Sequence, residues 1–299
     1  MVGRAIESEA RKYKYEVLGK SSADLDLTNR ELVFKEIGFT LPDVIVIAAA
    51  KVGGILANDR HPVAFISQNL QIQTNLMDAA HHYKISKLIF LGSSCIYPKF
   101  SQQPIHESSL LSGLLEPTNE SYAIAKIAGV KLVDAYRKEF NYDWFSIMPT
   151  NLYGEFDNFD GENSHVLPGL MKRFHDSATK GESEISVWGD GSPLREFLHV
   201  RDLATAILFL IEKGNSRHLL NIGSGHEVSI KELAALIAEV TEFKGKINFD
   251  TDKPNGTPRK LLDSSYIASL GWEPKISLEL GIQDTYDWYL EKITDRGEK

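Results

Sequence analysis

The chain has 299 residues, 42% hydrophobic and 25% charged, enough for one large or two smaller globular domains with a sizeable core. A formal net charge of −8 without a basic cluster argues against nucleic acid or an anionic membrane as partner, and one cysteine excludes an internal disulfide. No basic stretch leads into an apolar core at the N-terminus and the longest apolar run is Val44–Ala50, which predicts a soluble protein of the reducing cytoplasm.

Met1–Ile6 open a polar, helix-like stretch running to about Lys14. Glu16–Gly19 has the length of a short strand and is followed by the polar Lys20, Ser21 and Ser22. Asp43–Ala50 (DVIVIAAA) predicts a buried strand, ended by the loop Lys51–Gly54. Pro62–Tyr83 carries Phe65, Ile66, Leu70, Leu76, Met77 and Ala80 at approximately helical spacing. Lys87–Gly92 reads as a second buried strand, so Ser93, Ser94 and Cys95 fall at its carboxyl end, where open parallel sheets bind ligands. If the chain stays extended there, Ser93 and Cys95 share a face.

The next helix opens near Tyr122 and runs to about Phe140, with Tyr122 and Lys126 four residues apart on one stripe. A cation beside a phenol favours phenolate and draws its pKa of ~10 toward neutrality, while a serine hydroxyl can hold a carbonyl oxygen as the tyrosine protonates it. Ser93, Tyr122 and Lys126 are thus the set that nicotinamide-dependent ketone reduction needs. Tyr-x-x-x-Lys alone arises by chance in roughly half of chains of this length, and it equally describes an amphipathic helix with a solvated lysine. Its place about thirty residues after a strand ending in Gly-Ser-Ser is what gives it weight.

Asp143–Asn151 predicts a further strand, and strands alternating with helices argue for an α/β fold with a doubly wound parallel sheet. From Gly154 to Pro168 the chain is polar, glycine-rich and irregular, the character of a site-forming loop. Beyond it come a helix over Val166–Ala178, strands over Ile185–Gly189, Arg195–Val200 and Leu219–Gly223, and a Ser229–Glu232 capping box ahead of an amphipathic helix. A basic loop, Asn255–Leu262, and a last helix, Ile282–Ile293, complete the chain.

A series of longer stretches stands in order: AAAKVGGI at 48–55, GSSCIYP at 92–98, EPTNESYAIAKIAG at 116–129, MPTNLYG at 148–154, DNFDGENSHV at 157–166, REFLHV at 195–200 and GTPRKLLD at 256–263. Over nearly the whole chain these resemble the extended short-chain dehydrogenase/reductases that act on nucleotide sugars, the NAD-dependent epimerase/dehydratase family. The resemblance implies a Rossmann-type NADP-binding domain at 1–153 and a smaller, mainly substrate-binding domain at 154–299, with segments near 195–225 returning to the first. It implies NADP(H) as cofactor, a GDP-4-keto-6-deoxyhexose as substrate, epimerisation at C3 and C5 followed by reduction at C4, and a homodimer formed through the helices near 62–83 and 120–140. No metal is implied.

By the same resemblance Cys95 and His165 are the epimerisation pair, Tyr122 donates a proton to O4, Lys126 tunes Tyr122 and holds the nicotinamide ribose, and Ser93 bonds the carbonyl. Cofactor contacts fall on Gly3, Ser22, Asp26, Leu27, Leu91, Gly92, Ser94, Pro149, Thr150, Asn151 and Leu152, together with Lys126 and His165. Arg173, Trp188, Arg195 and Asn255 face the GDP-sugar; guanidinium forks suit diphosphate oxygens and an indole stacks on flat groups. Read alone, Cys95 is more often a small buried hydrophobe, His165 a loop histidine, Trp188 a core residue and Arg195 a surface charge. The matched surroundings reverse those odds for Cys95 and His165, as for Tyr122 and Lys126, and shift them only modestly for Trp188.

The family opens with a strand and a Gly-x-x-Gly-x-x-Gly loop, of which Met1-Val2-Gly3 matches only the last three positions. The expectation is therefore a sheet without its first strand and with most of the glycine-rich loop missing, from a late start or a truncated gene. No acid follows Glu16–Gly19 to take a ribose 2′-hydroxyl, whereas Lys20, Ser21 and Ser22 suit a 2′-phosphate, which favours NADP. Two alternatives stand beside this reading: another nucleotide-sugar epimerase or dehydratase of the same fold, and a non-catalytic nucleotide-binding protein. A dehydratase wants an acid pair next to the serine, where this chain has Ser94-Cys95.

Overall fold

Lys87–Leu91 reads KLIFL, and its apolar run is buried on both faces, as a central parallel strand requires. In the computed structural model, which describes residues 1–161, 164–215, 217–253 and 255–295, this segment is the second strand of the main sheet. Residues 162 and 163 of the expected site-forming loop lie outside the described residues.

The elements in order are α1 (Val2–Lys12), α2 (Arg30–Thr40), β1 (Val44–Ile47), α3 (Ile55–Arg60), α4 (Pro62–His82), β2 (Lys87–Leu91), α5 (Glu120–Phe140), β3 (Asp143–Pro149) and β4 (Asn151–Tyr153). They continue with α6 (Val166–Lys180), β5 (Glu184–Trp188), β6 (Leu194–His199), α7 (Val200–Lys213), β7 (Leu219–Ile222), β8 (Glu227–Ser229), α8 (Ile230–Val240), β9 (Lys246–Asp250), β10 (Arg259–Lys260), α9 (Ser265–Ser269) and α10 (Leu278–Asp295). The main sheet runs β1-β2-β3-β7, all parallel. A second sheet runs β10-β6-β4 in parallel with β8 antiparallel to β6, and β5 pairs with β9.

Alternation along β2 divides the core. Leu88 and Phe90 face Met77, Ala80, Val130 and Val133 of α4 and α5, while Ile89 and Leu91 face Leu203, Ile207, Ala5 and Ile6 of α7 and α1. Helices therefore cover both faces, the doubly wound arrangement expected. A third cluster joins Leu170, Met171 and Phe174 of α6, Leu233 and Ile237 of α8 and Ile282 of α10 over β5 and Phe197. Gly129 lets α5 lie close on β2, since a Cβ there would come 2.4 Å from the Phe90 ring. The capping box opens α8 as read: Ser229 Oγ accepts from Glu232 N at 3.1 Å and Glu232 Oε2 accepts from Ser229 N at 2.8 Å.

Two expectations need correction. Glu16–Gly19 is not a strand; it runs over the surface with Leu18 58% exposed, because a strand needs a hydrogen-bonded neighbour and none of the described residues provides one. Asp43–Ala50 is regular only over Val44–Ile47, where Ile45 and Ile47 are buried and Val44 and Val46 half-buried. Among the described residues β1 pairs on one side, with β2, so its burial alternates as at a sheet edge. The basic loop Asn255–Leu262 contains the short strand β10, which pairs with β6. Among the described residues no helix is long and apolar enough to cross a membrane.

Candidate active site

Past Gly92 the chain leaves the sheet in one tight turn, Ser94–Ile96, so the extended geometry expected for Ser93 and Cys95 is not formed. The turn brings them together by another route: Ser93 Oγ accepts from the Cys95 backbone N–H at 3.2 Å. Gly92 lets the end of the Met148 side chain pack on its backbone, where a Cβ would lie 2.2 Å from Met148 Cε, and the Gly92 N–H bonds Ile147 O at 2.9 Å. The carboxyl ends of β2 and β3 are thereby locked side by side. Leu91, Gly92, Ser93 and the buried Ser94 thus adjoin Pro149, Thr150, Asn151 and Leu152.

Tyr122 sits in the first turn of α5 with its phenol hydrogen-bonded to Ser93 and its ring edge-on to Phe65 at 6.3 Å. Burial pushes the phenol well above its usual value; the nearby Cys95 adds to the rise and the Ser93 hydrogen bond opposes it. The lowering expected from Lys126 does not occur. Lys126 is 3% exposed, bonds Leu91 O at 2.8 Å and lies 4.8 Å from the Phe90 ring centroid and 5.9 Å from that of Tyr122. Its ammonium is turned to the strand end, and burial drives it down to about 7. A cation that is itself half-neutral at pH 7 does little to ionise a neighbour. Tyr122 is a protonated phenol through the neutral range, the form that donates.

The depressed lysine carries a stability prediction. Between about pH 7 and its ordinary 10.5, Lys126 binds more proton in the unfolded chain than in the fold, so its desolvation cost is relieved as pH rises through that window. Lys126→Met is expected to be more stable than the parent by about 1–3 kcal/mol at pH 7 and below. The advantage should vanish toward pH 10.5, as measured by urea denaturation across that range.

Two further side chains reach the Cys95 sulfur. Asn119 Nδ2 donates to Sγ at 3.3 Å and Lys260 Nζ at 3.5 Å. Neither stood out in the sequence as a site residue, although both fall inside motifs quoted above. His165, at the N-cap of α6, has an exposed ring, yet the protein packed around it pushes its imidazole below the usual range, and the Lys260 ammonium pushes the same way. Lys260 therefore faces both members of the expected epimerisation pair.

The residues expected to grip the GDP part cluster at the ends of β5 and β6. The Arg173 guanidinium bonds Ser186 O, two residues before the half-exposed Trp188, and Lys253 Nζ lies 5.9 Å from the Trp188 ring centroid. Asn255 Oδ1 accepts from Asp190 N at 2.9 Å, holding the turn after Trp188. Arg195 bonds Leu194 O at 2.8 Å and burial lowers its guanidinium from its usual range. The register of β6 and β10 sets Arg195 beside Lys260, which joins this cluster to the sulfur.

The remaining cofactor positions lie elsewhere. Gly3 is in the first turn of α1, where an added Cβ would meet nothing within 4 Å. Ser22, Asp26 and Leu27 belong to the loop between α1 and α2, which is tied to α4 by Asn75 Nδ2 bonding Leu27 O at 3.0 Å. In that loop Lys20 pairs with Glu36 at 2.6 Å and Ser21 Oγ bonds Asp24 at 2.6 Å, so of the three polar residues only Ser22 is not engaged by a carboxylate. Among the described residues no cluster of His, Cys, Asp and Glu forms a metal site.

A serine, a tyrosine and a lysine gathered at the carboxyl edge of a doubly wound parallel sheet are the arrangement of a short-chain dehydrogenase/reductase. The chain belongs to the NAD dependent epimerase/dehydratase family, whose model matches residues 1–223. It is 54% identical over 297 residues to Putative GDP-L-fucose synthase 2 of Arabidopsis thaliana, covering 99% of this chain and 90% of the relative. It is 46% identical over 301 residues to GDP-L-fucose synthase of Escherichia coli strain K12, covering 97% and 94%. The solved structure of a GDP-L-fucose synthetase from Naegleria fowleri bound to NADP superposes with a TM-score of 0.89 at 28% identity, covering 100% of this chain and 92% of that one.

Proposed function

We propose that this protein is a bifunctional epimerase/reductase that converts GDP-4-keto-6-deoxy-D-mannose to GDP-L-fucose with NADPH. The observation that carries the reading is the gathering of Ser93, Cys95 and Tyr122 at one strand end, with His165 facing the same Lys260 ammonium that touches the sulfur. The family, and relatives named GDP-L-fucose synthase over nearly the whole chain, support it.

The 4-keto group acidifies the C–H bonds at C3 and C5. Cys95 and His165 exchange protons at those carbons from opposite ring faces, inverting each centre, with each proton removed from one face and one returned on the other. Ser93 then holds O4 and the Tyr122 phenol gives it a proton. NADPH, when bound, supplies the hydride that reduces C4. The residues suit that group: Lys126, with Leu91 O as its acceptor here, has N–H left to donate to a ribose hydroxyl in either protonation state. We assign residues 1–153 to NADP(H) and most of 154–299 to the GDP-sugar, with segments near 195–225 shared, which the separate core under α6, α8 and α10 and the return of β7 to the main sheet support.

The same proposal includes a homodimer formed through the outer faces of α4 and α5, where Val63 and Ile124 are exposed, and a reducing cytoplasmic setting in which Cys95 stays a free thiol. The test is incubation of the purified protein with GDP-4-keto-6-deoxy-D-mannose and NADPH in deuterated water. NADPH consumed mole for mole with GDP-L-fucose formed, and deuterium at C3 and C5 of the product, are expected. Absence of both NADPH oxidation and deuterium exchange would overturn the reading.

A further inference from the structure

We propose that Lys260 and Asn119 are positioning residues that jointly hold the Cys95 sulfur as a hydrogen-bond acceptor, the state in which it can remove a proton from carbon. The inference rests on the function above for the identity of that carbon acid, though not for the state of the sulfur itself.

Asn119 shows what this placement costs the fold. Asparagine at an N-cap ordinarily turns its oxygen to the free N–H groups of the first turn. Asn119 occupies the N-cap of α5 and makes no side-chain cap bond. Its amide donates to Sγ at 3.3 Å instead, and its Oδ1 is buried without a partner. A residue chosen for capping would not be set this way.

Lys260 is held by its strand. Arg259, one position earlier, points to the other side and forms a two-pronged pair with Glu227 at 2.7 and 2.5 Å. The next two amides are pinned, Leu261 N on Gln103 Oε1 at 2.8 Å and Leu262 N on Glu196 Oε2 at 3.1 Å. Lys260 is thereby committed to the site, where Nζ meets the sulfur at 3.5 Å and, among the described residues, no carboxylate pairs with it. An ammonium and an amide donor thus converge on one sulfur, which is the accepting partner in both contacts. The same ammonium disfavours charge on His165, so one group acts on both members of the pair.

Cys95 is the sole cysteine, so the uptake of iodoacetamide by the intact chain, followed by mass, reads this sulfur and no other. Lys260→Met is expected to slow alkylation roughly three- to tenfold at neutral pH, and Lys260→Arg to restore most of the rate. Asn119→Asp is the second arm: aspartate caps a helix as well as asparagine does, so α5 is preserved, while a carboxylate beside the sulfur should slow alkylation further. Wild-type rates in Lys260→Met, or an Asn119→Asp rate at or above the parent, would overturn the proposal. Because alkylation needs neither GDP-sugar nor NADPH, a protein that fails to turn over the substrate would remove the proposed function and leave this result standing.

Discussion

Tyr122→Phe is expected to cut NADPH oxidation by about 10²–10⁴-fold, the usual contribution of a positioned proton donor, while leaving deuterium exchange at C3 and C5 close to the parent rate. The two halves separate because they use different groups. In the proposed reaction the phenol serves the reduction, where the oxygen left at C4 by hydride transfer must receive a proton, and exchange is assigned to Cys95 and His165, which the substitution leaves in place. Phenylalanine keeps the ring packed edge-on to Phe65 and beside the Lys126 ammonium, so the loss is one hydroxyl and its hydrogen bond to Ser93. With the phenol raised by burial, the parent enzyme should also show no loss of the donor below pH 10. Reduction within tenfold of the parent in Tyr122→Phe would assign the donor elsewhere.

Where sequence pattern and tertiary demand agree, the fold was readable. Helix α4, α5 and the capped α8 announce themselves by apolar spacing, and β2 by a run too apolar for anything but burial on both faces. Glu16–Gly19 has the pattern of a strand without being one, because strand character is a property of a pair; the same residues without a hydrogen-bonded neighbour are a surface loop. Asp43–Ala50 was overextended for a related reason, since an edge position halves its burial and the apolar run does not show which side is open.

The site divides in the same way. Ser93 and Cys95 share one short motif and Tyr122 and Lys126 another, so each pair is local in the chain. What Lys126 does to Tyr122 is not local: the buried Leu91 carbonyl turns the ammonium to the strand end, and desolvation reverses the expected direction of the phenol's shift. Lys260 reaches Cys95 across 165 residues of sequence, through a strand only two residues long. No spacing rule connects them.

Glu196 shows the same limit on the side of stability, and Glu196→Ala is expected to cost about 2–4 kcal/mol. The residue is fully buried on β6, and burial raises its carboxyl from the usual range against the pull of its amide donors. Oε1 accepts from Gly225 N at 2.8 Å, in the turn between β7 and β8, and Oε2 from Leu262 N at 3.1 Å, just past β10. Gly223 must be glycine for this, since a Cβ there would lie 2.2 Å from Oε1. The backbone oxygen of Glu196 meanwhile accepts from Asn151 Nδ2 at 2.8 Å and Thr150 Oγ1 at 3.2 Å. One residue thus ties the end of β3 to the β7–β8 turn and to the strand that carries Lys260. Alanine keeps the backbone bonds but strands the buried Leu262 N–H, which loses its acceptor without gaining water, and unties the exposed Gly225 from the sheet. Glutamine is no cure, because its amide nitrogen would face one of those N–H groups, so Glu196→Gln should lie between parent and alanine. Thermal unfolding is expected to drop by roughly 5–15 °C in Glu196→Ala, with amide exchange accelerated first at Gly225 and Leu262. An unchanged melting temperature would mean that the loops hold one another without the carboxylate.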